Sequence, residues 1–245
     1  MRLRLDQAVV ERGLARSRER AKALIMQGRV LVSRVPATKA GSMVDADAEI
    51  TLKGQDIPYV GRGGLKLEAA LETFGIDPSG RVAMDVGAST GGFTDCLLQR
   101  GARVVYAVDV GYGQLDWKLR QDERVVLFER MNIRHMERSS IPETVGLAVI
   151  DVSFISLKLV LPKVREFMER PGGEVVALVK PQFEVGRADV GKGGIVREPE
   201  KRLAALRGIE EFCAEIGLRV MGTMESPVPG AKGNIEYLLH AVEPE

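Results

Sequence analysis

Beyond residue 81 the chain alternates short apolar runs with stretches where apolar residues return every three or four positions. The runs at 81–84, 103–108, 147–150, 175–179, 218–223 and 237–242 are strand-sized, and several have no polar residue alternating with the apolar ones. That is the pattern of strands covered on both faces, as in a parallel sheet. Residues 92–99, 155–167 and 200–216 carry helical spacing between them. The pattern predicts an α/β domain, a mostly parallel sheet with helices on both sides.

The first residues follow a different pattern. A helix is predicted at 5–12, ended by Gly13, and another at 18–27, capped by Ser17 and ended by Gly28. A hydroxyl side chain satisfies free N–H groups at a helix start, and glycine takes the left-handed conformation just past its end. Ala21, Leu24 and Ile25 form the apolar stripe of the second helix, leaving Arg18, Arg20, Lys22 and Arg29 outward. Short strands follow at 30–32 and 49–52. Pro58, Gly61, Gly63 and Gly64 argue against regular structure in 56–64. The expected organisation is a small α+β domain at 1–55, a linker at 56–64 and the α/β domain at 65–245.

Charge separates the two parts further. Residues 1–39 carry ten Lys or Arg against three acids, a net +7, while the rest of the chain carries 25 basic and 31 acidic groups, a net −6. A basic head on an acidic body suits a polyanion, although a solvated basic helix face gives the same count. The apolar runs fall far short of the roughly 20 residues of a membrane-spanning helix, and the basic N-terminus has no secretory apolar stretch, which predicts a cytoplasmic protein. Cys96, Cys213, His135 and His240 are too scattered for a zinc site, so no metal is expected.

Four predicted strands run into an ionisable residue: Asp85, Asp109, Asp151 and Lys180. In an open parallel sheet, ligands bind beyond the carboxyl ends of the strands, so these four are expected on one rim. Around the first lies Met84-Asp85-Val86-Gly87-Ala88-Ser89-Thr90-Gly91-Gly92-Phe93-Thr94-Asp95, a strand-turn-helix whose glycines let the backbone approach a ligand. The spacing is not the Gly-x-Gly-x-x-Gly of dinucleotide binders, and the Lys-Ser/Thr ending of a phosphate-binding loop is missing. An acid before the turn and a second one, Asp109, after the next strand suit a ligand with a ribose and an amino-acid tail. An NAD-like ligand stays open as the alternative.

Further segments extend this constellation. They are Arg4-Leu5-Asp6, Gly13-Leu14-Ala15-Arg16-Ser17-Arg18, Gly61-Arg62-Gly63-Gly64-Leu65-Lys66-Leu67, Asp151-Val152-Ser153-Phe154, Val179-Lys180-Pro181-Gln182-Phe183-Glu184 and Lys232-Gly233-Asn234-Ile235-Glu236. With them the chain resembles, over nearly its whole length, the TlyA family, in which a ribosomal-protein-S-four-like RNA-binding domain is joined to an FtsJ-like ribose 2′-O-methyltransferase. The resemblance implies a class I (Rossmann-like) methyltransferase fold, with a seven-stranded sheet whose last strand is antiparallel. It implies S-adenosylmethionine as cofactor, held by Asp85, Gly87, Ser89, Thr90, Gly91, Gly92 and Phe93 around the turn, with Asp109 at the ribose and Asn132 near the adenine. A Lys-Asp-Lys-Glu tetrad carries over to Lys66, Asp151, Lys180 and Glu236. Because an antiparallel last strand starts where its neighbours end, Glu236 is expected to meet Lys180. RNA contacts are expected from Arg4, Arg16, Arg18, Arg20 and Lys22, with ribosomal RNA or ribosomal subunits as partner and a cytidine ribose as target. Two other readings remain: a non-catalytic RNA-binding or ribosome-assembly factor on the same scaffold, and a membrane-lytic haemolysin, a label members of this family have carried.

Overall fold

The computed structural model describes residues 2–15, 17–26, 28–53, 57–186 and 189–245, and the chain divides into two compact units, Met1–Pro58 and Tyr59–Glu245. The first runs β1 (Arg2–Arg4), α1 (Leu5–Glu11), α2 (Arg18–Met26), β2 (Val30–Val32), β3 (Val35–Pro36), β4 (Met43–Asp45) and β5 (Ile50–Leu52). Leu5, Val9, Leu24 and Ile25 are fully buried where the two helices pack. Ser17 Oγ accepts a hydrogen bond from the Arg20 amide at 3.2 Å, and Gly28 has φ +66°, so both ends of α2 use the signals read in the sequence. The pair β1–β4 is not anticipated by pattern. Each strand has three residues, too few for a period of two to stand out from a loop.

The second unit runs α3 (Gly63–Phe74), β6 (Val82–Val86), α4 (Gly92–Gln99), β7 (Val104–Val108), α5 (Trp117–Arg120), β8 (Val125–Phe128), β9 (Leu147–Ile150), α6 (Leu161–Arg165), β10 (Glu174–Val179), α7 (Pro181–Glu184), α8 (Pro199–Glu215), β11 (Arg219–Glu225) and β12 (Tyr237–Val242). Its sheet has the order β11-β12-β10-β9-β6-β7-β8, with β12 antiparallel to both neighbours and the pairings from β10 to β8 all parallel. This is the expected seven-stranded sheet. Its edge strand β8 escaped the sequence reading because it is short and only partly buried. The helix expected at 155–167 is interrupted: a 3-10 turn at Leu157–Leu159 precedes α6, which begins beside Pro162.

Side chains alternate across β6. Val82, Met84 and Val86 enter a core shared with Leu206, Ile209 and Cys213 of α8 and with Phe167 after α6, while Ala83 and Asp85 face the opposite side, against α4. Full burial of a residue such as Met84 or Phe167 contributes roughly 1.5–3 kcal/mol.

The expected linker at 56–64 is cut short. Tyr59 is buried and its hydroxyl donates to Glu68 Oε1 at 2.7 Å, the Val60 amide donates to Asp95 Oδ2 at 2.9 Å, and Gly63 and Gly64 already belong to α3. A Cβ on Gly64 would fall 2.2 Å from Tyr59 Cγ. Close packing, rather than flexibility, accounts for that glycine.

Candidate active site

Strands β7, β9 and β10 run directly into Asp109, Asp151 and Lys180, which places the three on the carboxyl rim of the sheet. Because β12 runs the other way, with Tyr237 opposite Val179, Glu236 begins at that same rim. Lys66 arrives from α3, where Leu67, Ala70 and Leu71 are buried with it. The four side chains form two ion pairs, Lys180 Nζ to Asp151 Oδ1 at 2.6 Å and Lys66 Nζ to Glu236 Oε2 at 2.6 Å. Lys66, Lys180 and Glu236 are all buried. Unpaired charges at such depth cost several kcal/mol each, so the pairing is a condition of placing them there. The expected contact between Lys180 and Glu236 is not made. Although the two are neighbours in register, Lys180 turns toward β9, to Asp151 and to Ser153 Oγ at 2.8 Å, and Glu236 turns to α3.

Two lobes of a cleft meet at Gly87, Ser89 and Asp151. The larger, about 850 Å³, is lined by Asp109, Asn132 and Ile133 at one end and by Ser153, Phe154 and Phe183 at the other. The smaller, about 240 Å³, is lined by Arg62, Gly63, Lys66, Thr90, Gly92 and Phe93, and by Val228, Pro229 and Gly230. Each ion pair thus sends one member, Lys66 or Asp151, to the cleft wall.

The turn at 87–91 needs its glycines. Gly87 has φ +89°, and a Cβ there would lie 2.5 Å from the Asp151 carbonyl oxygen; Gly91 has φ +96°, and its Cβ would lie 2.2 Å from Leu119 Cδ1. Asp109 is held by backbone amides on both oxygens, from Ser89 at 2.7 Å and Gly111 at 2.6 Å. A carboxylate oxygen accepts more than one hydrogen bond, so this acid retains capacity for a diol. Asn132 Oδ1 accepts from the Arg134 amide at 3.1 Å, which fixes the side chain at the wall of the larger lobe. A ligand with a nucleoside at one end and an amino acid at the other would fit the two lobes with its centre beside the Asp151 carboxylate. That arrangement favours a cationic centre.

Residues 59–242 match the FtsJ-like methyltransferases, and residues 3–50 match the S4 domain. The chain belongs to the FtsJ-like methyltransferase family. It is 46% identical over 239 residues to the 16S/23S rRNA (cytidine-2′-O)-methyltransferase TlyA of Mycobacterium tuberculosis, spanning 97% of this chain and 89% of that one. It is 43% identical over 244 residues to a Brachyspira hyodysenteriae protein named Hemolysin A, spanning 98% of this chain and all of that one. Among solved structures it is similar to a candidate hemolysin from Streptococcus thermophilus, with a TM-score of 0.78 and 45% identity, covering 100% of this chain and 89% of that one.

Within the FtsJ-like unit, two of the residues expected at the cofactor line neither lobe. Asp85 lies inside β6, not after it, and is fully buried against α4, where Thr94 Oγ1 donates to its Oδ2 at 2.6 Å. Burial raises its pKa to about 7, with the Asp151 charge adding to the rise and the Thr94 hydrogen bond opposing it. Gly91 turns its α-carbon toward Leu115 and Leu119. The other turn residues, Gly87, Ser89, Thr90, Gly92 and Phe93, do line the cleft. Sequence reasoning gave no role to Arg62, Ser153 or Phe154, although each stood in a quoted segment. Phe154 is 91% exposed, has φ +65°, and sets its ring 5.2 Å from that of Phe183 at a tilt of 50°. No local pattern announces a phenylalanine with positive φ.

In the S4 unit, Arg4 and Arg18 each reach Asp6 Oδ2 at 3.1 Å, and Asp6 is fully buried while both arginines stay half exposed. Hydrogen bonding from Arg4, with Arg18 adding to it, holds the Asp6 carboxyl down at about 2 against the effect of burial. Two guanidinium groups are thereby fixed side by side at the surface. Lys22 is exposed, and Arg20 donates to the Ile57 carbonyl at 3.3 Å. Arg16 lies outside the described residues.

Proposed function

We propose that this protein transfers a methyl group from S-adenosylmethionine to the 2′-hydroxyl of a cytidine ribose in ribosomal RNA, in the cytoplasm. The observation that carries this reading is the pair of buried Lys–carboxylate contacts that reach the cleft, one through Asp151 at the junction of the two lobes and one through Lys66 in the smaller lobe. The rRNA (cytidine-2′-O)-methyltransferase activity named for the M. tuberculosis relative supports the choice of substrate.

S-adenosylmethionine, when bound, supplies an electrophilic methyl group on a positively charged sulfur. Asp109 would take the ribose hydroxyls and Asn132 the adenine, while the backbone at Gly87, Ser89 and Gly92 and the Arg62 guanidinium would hold the amino-acid end. Asp151, at the junction, would face the cationic centre, and it anchors Lys180. Lys180, as the neutral amine, would accept the proton of the acceptor hydroxyl as the carbon–oxygen bond forms and the sulfur–methyl bond breaks. A placed general base contributes roughly 10² to 10⁴ in rate, and alignment contributes several kcal/mol more. Lys66, oriented by Glu236, offers positive charge to the oxygen as it sheds its proton. Phe154 and Phe183, at the mouth of the larger lobe, offer flat apolar surface to a base turned out of its stack. The half-exposed Arg4 and Arg18 with Lys22 would grip the RNA backbone.

The test is methyl transfer to ribosomal subunits lacking the modification, with the acceptor nucleotide located by 2′-O-methyl mapping. Lys180→Ala should lose turnover by about 10² or more while still binding S-adenosylmethionine. Near-normal turnover by that variant would remove Lys180 from the chemistry, and no methyl incorporation by the wild type would favour a scaffold role. Among the described residues no helix is long and apolar enough to cross a membrane.

A further inference from the structure

The corner formed by the end of β10 and α7 grips one loop at three points. Lys180 reaches Asp151 and Ser153, with Nζ at 2.6 Å from Asp151 Oδ1 and donating to Ser153 Oγ at 2.8 Å. Phe183 meets the Phe154 ring. Glu184 accepts from Ser156 Oγ at 2.5 Å and from the Leu157 amide at 2.9 Å. The loop between these holds contains Phe154 at φ +65°, a conformation an L residue keeps only where its surroundings over-determine it. With that side chain 91% exposed, burial does not hold it there. The grips from Lys180, Phe183 and Glu184 do.

The consequence falls on Lys180. A lysine nitrogen sits on a flexible four-carbon stem, and a single ion pair leaves it free to rotate about that contact. Two contacts on a tetrahedral nitrogen, Asp151 and Ser153, fix the axis of what remains. For a neutral amine, the N–H donated to Ser153 together with the close approach of the Asp151 carboxylate leaves the lone pair in a defined direction. Ser153 itself lines the larger lobe, so the fixed nitrogen stands next to the cleft.

We propose that Ser153 is a positioning residue of the methyl-transfer centre, outside the Lys-Asp-Lys-Glu tetrad: its hydroxyl sets the direction from which Lys180 receives the substrate proton, and Glu184 keeps Ser153 in place by anchoring the far end of its loop. This rests on Lys180 being the proton acceptor.

The experiment uses the full chain, S-adenosylmethionine and ribosomal subunits lacking the modification, and compares Ser153→Ala, Ser153→Thr, Glu184→Ala and Lys180→Ala. Ser153→Ala should lower kcat about 10- to 100-fold, as loss of a group that orients a functional side chain does. Its S-adenosylmethionine affinity and melting temperature should stay at wild-type values. Ser153→Thr keeps the hydroxyl and should recover most of the rate. Glu184→Ala should lower kcat in the same direction with cofactor binding retained; if its kcat is unchanged, the anchoring role of Glu184 is wrong. An inactive Lys180→Ala beside a Ser153→Ala enzyme of normal kcat would overturn the proposal alone. So would a Ser153→Ala loss that threonine does not rescue or that comes with weaker cofactor binding. An active Lys180→Ala would instead overturn the proton-acceptor reading, and this inference with it.

Discussion

Asp85 shows how far a single residue can depart from its motif. Its carboxyl holds a proton in the folded protein up to about pH 7, against an ordinary value of 3.8, because it lies wholly inside the unit. The unfolded chain releases that proton near the ordinary value, so folding takes up a proton throughout the interval between. Stability contributed by the neutral acid is therefore complete below the lower value and is lost as pH rises through the upper one. Asparagine cannot titrate. The Asp85→Asn protein, free of cofactor, should gain on wild type by roughly 1.4 kcal/mol per pH unit across that window. Melting curves at about pH 5 and about pH 7 check it: the difference in Tm should move in favour of Asn at the higher pH, and a constant difference would mean Asp85 is ionised throughout. At this scale the sequence showed which residue types were present at the tetrad and turn positions. It did not show that Asp85 faces α4, because the strand runs two residues further, to Val86, than its apolar pattern suggested, which puts Asp85 inside it on the face opposite Met84.

Among the elements, the turn between β6 and α4 was the most legible, since its glycines answer a local backbone demand. Gly87→Ala sets a methyl against the Asp151 carbonyl, which is backbone and cannot step aside, in a conformation that itself costs an L residue about 1–2 kcal/mol. The variant should lose stability by at least that amount in urea titrations and should bind S-adenosylmethionine at least about tenfold more weakly by calorimetry, because the clash falls where the two lobes meet. Unchanged affinity would separate this turn from the cofactor site. Elements were illegible where they were short or exposed: β1 and β4 have three residues each, and β8 is an edge strand. The segment read as a linker was misjudged in another way. Its glycines argued against regular structure, yet Gly63 and Gly64 open α3, and Gly64 is there so that α3 can lie against Tyr59.

At the scale of the whole molecule, a basic S4 unit precedes an acidic FtsJ-like unit, and each has its own buried core. Binding to ribosomal RNA should therefore be dominated by counterion release, with affinity falling steeply as salt rises. Arg18→Ala should reduce the slope of log affinity against log salt by about one, and residues 59–245 alone should bind S-adenosylmethionine as the full chain does while binding RNA more weakly. Filter binding over a salt series checks both, and a salt-independent affinity would contradict the role given to the S4 unit. The sequence by itself determined the fold class, the division into a basic and an acidic part and, of the four residues expected at the rim, the place of Asp109, Asp151 and Lys180 but not of Asp85, because periodicity, composition and motif chemistry are local properties. Only the tertiary structure decided the partners. Lys66 and Glu236 stand 170 residues apart, and Lys180 chose Asp151 and Ser153 over the acid next to it in register. Such choices depend on where side chains from separate elements converge, and no local pattern encodes that geometry.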